Sequence, residues 1–272
     1  MLNRMVSFEC IQDLIKNIDS EKFSPDIFLK TGLFIIRNGI NLDTIKIWQN
    51  EWKVFYNNNK LIDRNIIGNN PVSIDLNPGG VLGAAYKCPD ILAVIMKAFG
   101  ENIALYNQRF VVKDKKSSEP VFLHSDYPYH LGWPFKASAF VPLSLVNKEN
   151  GGMYFYPGTH QFGYLADAGE IDLGSFPSNL PSVCPTLYPG DFILMNSLTW
   201  HGSGPNIAGV DRVLIDIIYQ PANDPSSKEL VCGEWETDIF FTCEKEKVYK
   251  RSRTTKIKEL LKKLANLEGS LN

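Results

Sequence analysis

From Ile103 onward the chain is a succession of short β-branched and aromatic runs separated by turn residues, and this leaves few folds open. Runs at 102–113, 120–126, 135–145, 152–156, 191–197 and 212–220 read as strands. The part before them is largely helical. Phe8, Ile11, Leu14 or Ile15, and Ile18 recur at helical spacing, which predicts an amphipathic helix over 7–18 with Ser7 as its cap. Ser24-Pro25 opens a short helical turn, and Pro89 opens a helix that ends at Gly100. Between them, Leu33-Phe34-Ile35-Ile36 predicts a strand turning at Asn38-Gly39. Asn41 then caps a helix with Ile45, Trp48, Trp52 and Phe55 on one face, a pattern that suits packing on a sheet better than a cofactor box. Serial strands after helices predict a mainly β protein, a sandwich with helices against one sheet.

With 272 residues and no internal repeat or low-complexity linker, the expectation is a single domain over 1–272. Hydrophobic residues at 44% and charged residues at 21% are ordinary globular values. A net charge of −2 gives no reason to expect nucleic acid as a partner. The five cysteines are scattered without CxxC spacing, which favours reduced thiols over a disulfide framework or zinc site. No signal peptide and no transmembrane run is legible, so the expected location is cytoplasmic. The stretch from 244 to 268 carries nine Lys or Arg and a stripe of Ile257, Leu260, Leu261, Leu264 and Leu267. This basic helix is expected to pack on the domain or on a second subunit of a homo-oligomer, in preference to an acidic partner or a membrane surface.

Two stretches carry chemistry: Phe122-Leu123-His124-Ser125-Asp126-Tyr127 and Thr199-Trp200-His201-Gly202-Ser203-Gly204. In an extended strand, side chains two apart share a face, so His124 and Asp126 are expected to point the same way. With His201 arriving from a distant strand they would form a two-histidine, one-carboxylate face on a divalent metal. His-x-Asp alone is a weak signal, since a histidine ending an apolar strand is often a core residue. Arg212 strengthens it, with Gly202–Asn206 expected as the turn between His201 and this arginine. A guanidinium there suits the far carboxylate of a dicarboxylic acid chelating the metal.

His124-x-Asp126, the His201-Gly202-Ser203-Gly204 turn and Arg212 resemble the phytanoyl-CoA dioxygenase family of Fe(II)/2-oxoglutarate oxygenases. So do Asn150-Gly151-Gly152 leading to Pro157-Gly158-Thr159-His160, and Pro189-Gly190-Asp191 before the distal strand. The resemblance runs from about residue 32 to 221. It implies a double-stranded β-helix (jelly-roll, cupin-like) core over about 102–221. It further implies Fe(II) held by His124, Asp126 and His201, with 2-oxoglutarate and O2 as co-substrates. Arg212 would anchor the 5-carboxylate of 2-oxoglutarate, with Ser203 as a second donor and Asn107 as a polar neighbour; solvent exposure is the other reading of Asn107. The expected outcome is hydroxylation of a small molecule, with succinate and CO2 as co-products. Retention of Asp126, where related halogenases carry Ala or Gly, implies oxygenation and not chlorination. His160 is expected to be structural.

Tyr127, Tyr129, His130 and Trp133 follow the metal triplet and are candidate substrate contacts, with Trp200 a further aromatic beside it. Arg109 and Lys136 are candidates for an anionic substrate. Residues 57–88, rich in Asn, Gly and Pro, read either as a lid over the site, as the resemblance suggests, or as a plain connection. Two rival readings remain: a jelly-roll binding protein without catalysis, and a zinc hydrolase using the same three ligands.

Overall fold

The computed structural model describes residues 8–58, 65–67, 70–74, 78–114, 118–165, 171, 174, 176, 178–235 and 262. Helix α1 spans Phe8–Ile15, shorter than expected, and Ile11 and Ile18 are buried; Ser7 lies outside the described residues. Strand β1 (Asp19–Ser20) runs parallel to β2 (Leu33–Ile36). Between them, α2 (Pro25–Thr31) starts where Ser24 accepts the Ile27 amide and stops at Gly32. Gly32 sits at φ 69°, and a Cβ there would lie 2.5 Å from both His160 and Thr199. Only glycine meets both demands. Helix α3 (Leu42–Asn58) begins where the Asn41 side chain accepts the Asp43 amide. Trp48 and Trp52 are buried, and Trp52 stacks on Phe110 at 4.6 Å. The packing reading of these tryptophans therefore holds.

Residues 57–88 are neither structureless nor a lid alone. They contain β3 (Asn65–Ile67) and β4 (Asn70–Ile74), a hairpin that extends the main sheet, followed by the one-turn helix α4 (Gly80–Gly83). Backbone pairing, invisible to side-chain periodicity, makes this element. Helix α5 spans Pro89–Phe99 and is capped at Gly100.

The remaining strands are β5 (Ile103–Lys113), β6 (Val121–His124), β7 (Ala137–Pro142), β8 (Met153–Phe155), β9 (Phe192–Asn196), β10 (His201–Ser203), β11 (Arg212–Pro221) and β12 (Glu229–Cys232). They form two sheets. The larger runs β1-β2-β9-β7-β11-β5-β4-β3, with β12 also on β5; the smaller is β6-β10-β8. Alternation sorts the large sheet cleanly. Phe34, Ile36, Phe110, Val141, Leu194, Ile215 and Ile217 pack with Phe28, Trp48, Ile91 and Ile95 of the helices. Leu33, Ile35, Phe140, Ile193 and Leu214 face the small sheet, meeting Met153 and Phe155. Burial of each such side chain contributes about 1.5–3 kcal/mol. The result is a jelly-roll sandwich with helices on the outer face of one sheet, as expected.

Two local expectations change. Residues 201–203 are strand and not turn: His201 pairs with both His124 and Phe155, and Ser203 with Met153. The strand over 120–126 ends at His124, and Asp126 is helical (φ −77°, ψ −27°) at the entry to a 3-10 turn over Tyr127–Tyr129. The basic stretch 244–268 lies outside the described residues apart from Lys262. No described helix is long and apolar enough to cross a membrane.

Candidate active site

His124 and His201 sit opposite each other at the mouth of the sandwich, on neighbouring strands of the small sheet. Alternation turns His201 and Ser203 inward with Phe155 and Met153, and turns Gly202 outward beneath the Tyr154 hydroxyl. Asp126 joins them by a route the strand pattern did not predict. The chain bends after His124, and the Asp126 and Tyr127 amides both donate to the Ser197 carbonyl, at 2.9 and 3.0 Å. These two hydrogen bonds swing the carboxylate back over the histidines. Asp126 Oδ1 lies 3.6 Å from His124 Nε2 and 3.9 Å from His201 Nε2. One candidate ligand atom from each of the three residues lies within 4.8 Å of the others, and all three side chains are buried.

The proton positions follow from the acceptors. His124 Nδ1 lies 2.8 Å from the Phe122 carbonyl and His201 Nδ1 3.0 Å from the Thr199 carbonyl. A carbonyl only accepts, so each Nδ1 carries the hydrogen and each Nε2 presents a lone pair to the shared centre. Burial, reinforced by His124, pushes the His201 pKa down to about 4 and keeps the ring neutral. Burial alone would raise the Asp126 pKa, but the adjacent His201 and His124 hold it below the usual carboxylate range. Asp126 Oδ2 is buried with no hydrogen-bond partner among the described residues. Two nitrogen lone pairs, an anionic oxygen and no thiolate suit Fe(II) in an open three-ligand site.

The facing wall is β11 and β5. Arg212, Leu214, Asp216 and Ile218 share the inner face, opposite Lys113, Val111, Arg109 and Asn107. Asn107 is therefore half-buried on the site face, not solvent-facing. Arg109 is held by Asp216 (Nε to Oδ2, 2.7 Å), and its charge reaches His201. Burial raises the Asp216 pKa against the pull of Arg109. Arg212 is only 1% exposed, and none of its three guanidinium nitrogens has a protein partner among the described residues. Burial pulls its pKa down to about 9, so it is cationic at neutral pH. A buried fork of this kind fits a carboxylate. Lys113 Nζ donates to the Gly204 carbonyl at 2.8 Å, which brings the Ser203 end of β10 to the Arg212 end of the large sheet.

The other candidates divide. Tyr129 and Trp133 are exposed, Tyr127 and His130 half-buried, all on the loop after the triplet. Tyr129 lies 6.4 Å from the His124 ring, and His130 lies against Tyr106 at 4.8 Å. Trp200 is not a pocket residue: it is fully buried on the outer side of the small sheet against Phe176. Lys136 does not meet substrate. It is fully buried and paired with Asp224 at 2.5 Å, beside Gln220 and Ser226. His160 bonds the Leu29 carbonyl through Nε2 and packs under Gly32, a structural role. Sequence reasoning missed Lys113, Asp216 and the Lys136–Asp224 pair; the legible signal was a charge inside an otherwise apolar strand.

Fold and site together define a jelly-roll protein with a two-histidine, one-carboxylate face and a buried arginine on the opposite wall. The profile of the family Phytanoyl-CoA dioxygenase (PhyH) matches residues 53–213. The chain belongs to the phytanoyl-CoA dioxygenase family of Fe(II)/2-oxoglutarate oxygenases. Comparison with curated protein sequences gives no match. Among solved structures, it is similar to the epimerase SnoN in complex with Fe3+, alpha ketoglutarate and nogalamycin RO (TM-score 0.65, 19% identity, 80% of this chain and 86% of that one). It is similar to the carbocyclase SnoK from nogalamycin biosynthesis (0.63, 18%, 75% and 86%). It is also similar to EctD from S. alaskensis with 2-oxoglutarate and 5-hydroxyectoine (0.62, 19%, 81% and 82%). At these identities the likeness is one of fold.

Proposed function

We propose that the chain is a non-haem Fe(II)/2-oxoglutarate-dependent dioxygenase that hydroxylates a small-molecule substrate. Arg212 carries the reading: a buried cation without a partner among the described residues has no work in a zinc hydrolase or a plain binding protein, but suits a dicarboxylate co-substrate. His124 Nε2, Asp126 and His201 Nε2 hold the metal, their orientation fixed by the Phe122, Ser197 and Thr199 carbonyls. When bound, iron would supply the chemistry by which O2 oxidises 2-oxoglutarate to succinate and CO2 with one of its oxygen atoms and a substrate C–H bond with the other. Arg212 binds the far carboxylate through its planar fork, with Ser203 as second donor and Asn107 on the same wall. Arg109, steadied by Asp216, and the loop residues Tyr127, Tyr129, His130 and Trp133 meet the substrate. The fold relatives include an epimerase and a carbocyclase, so the product itself is the decisive readout.

The test is succinate formation from 2-oxoglutarate with fresh Fe(II), reductant and O2, followed by mass analysis of candidate substrates. The expected result is iron-dependent succinate, abolished in Arg212→Ala, and a product heavier by one oxygen atom. Zinc-supported, oxygen-independent turnover would replace this reading with a hydrolase. An unchanged or hydrogen-depleted product mass would keep the oxygenase and overturn hydroxylation.

A further inference from the structure

Lys113 is a fully buried cation standing directly across the β5–β11 ladder from Arg212. Like charges facing each other in a sheet repel, and burial removes the water that would screen them. Among the described residues the lysine finds neutral acceptors: Nζ donates to the backbone carbonyls of Glu119 and Gly204. Its stem is equally constrained. Gly151 sits at φ 85°, and a Cβ there would come within 2.4 Å of Lys113 Cδ. The Lys113 carbonyl in turn accepts from the Asn206 amide group at 3.1 Å. One side chain thus ties the end of β5 to the residue after Ser203 and sets a second positive charge beside Arg212.

We propose that Lys113 is a positioning residue for the dicarboxylate co-substrate: it fixes the Ser203–Gly204 end of β10 and doubles the positive charge at the far-carboxylate site. The inference rests on the oxygenase reading. Two cations and one carboxylate make a more favourable sum than either cation alone, because the anion offsets the repulsion the fold has built in. Burial first, and the Arg212 charge second, lower the Lys113 pKa to about 7, while Glu119 opposes them. Among the described residues, Arg212 across the ladder and Glu119 after the strand are the charged groups that act on it. An arriving carboxylate favours the protonated ammonium, so co-substrate binding at pH 8 should take up protons.

The test titrates 2-oxoglutarate calorimetrically into Mn(II)-loaded protein without O2, in two buffers of different ionisation enthalpy. Wild type is expected to bind with net proton uptake. Lys113→Met should weaken binding at least tenfold, and in steady state raise KM for 2-oxoglutarate with kcat changed less than twofold. Lys113→Arg should restore affinity but take up no proton, since a guanidinium stays charged. If Lys113→Met does not fold, Lys113→Arg decides alone: proton uptake equal to wild type overturns the proposal. Wild-type affinity in Lys113→Met also overturns it while leaving the oxygenase reading intact. Failure of wild type to bind 2-oxoglutarate at all removes both.

Discussion

On the small sheet each inward-facing imidazole is fixed by a carbonyl two residues earlier in the chain, Phe122 for His124 and Thr199 for His201. On and beside the large sheet three charged side chains are fixed by groups far away in sequence: Arg109 by Asp216, Lys136 by Asp224, Lys113 by Gly204. The first arrangement is local and nearly independent of the rest of the fold. The second exists only once the sandwich has closed. Substitutions should therefore separate: changes on the small sheet remove chemistry and leave the fold, whereas changes to paired charges on the large sheet remove the fold itself.

The sharpest break comes from His201→Ala. It should abolish iron-dependent succinate formation and metal binding by calorimetry, while unfolding free energy in urea stays within about 2 kcal/mol of wild type. Lys136→Met should do the reverse, costing about 3–5 kcal/mol of stability because Asp224 is left buried without its cation. Arg212→Met crosses the divide. Loss of a bidentate charged contact should weaken 2-oxoglutarate binding about a hundredfold. Removing an unpaired buried charge should also raise the melting temperature of the ligand-free protein. The smallest effect is a pH slope. Burial holds the His160 pKa below its ordinary 6.5, so on acidification the unfolded chain takes up the proton first. Its contribution is complete above the unfolded pKa and is lost as pH falls below it. His160→Gln should therefore flatten the fall of the urea midpoint between about pH 6.5 and 5.

The same division explains what could be read from residues alone. His124 is legible at the end of its apolar run, and His201 and Arg212 through the motif they form with the residues between them, while the helix starts at Ser24 and Asn41 are legible because caps are local. Asp126 was picked for a reason that proved incomplete: parity within a strand does not apply to a residue in a turn, and the Ser197 carbonyl that directs it is 71 positions away. Lys136 reads as a candidate for an anionic substrate because its partner Asp224 lies 88 residues on and nothing local announces it. The β3–β4 hairpin escaped because its pairing is a matter of backbone register.

Ser197 has a consequence for how such a protein can change. Lying four residues ahead of His201, it accepts the Asp126 and Tyr127 amides at its carbonyl, donates its amide to the Lys136 carbonyl and donates its hydroxyl to the Pro134 carbonyl. Both ends of the intervening loop, and with them the aromatic rim, are moored to one point. Gly132 must stay, since at φ 79° a Cβ there would lie 2.0 Å from Asp224 Oδ1, but Tyr129, His130 and Trp133 can be exchanged for others without disturbing either mooring, so the appetite of the catalyst can drift across generations while its engine keeps its timing.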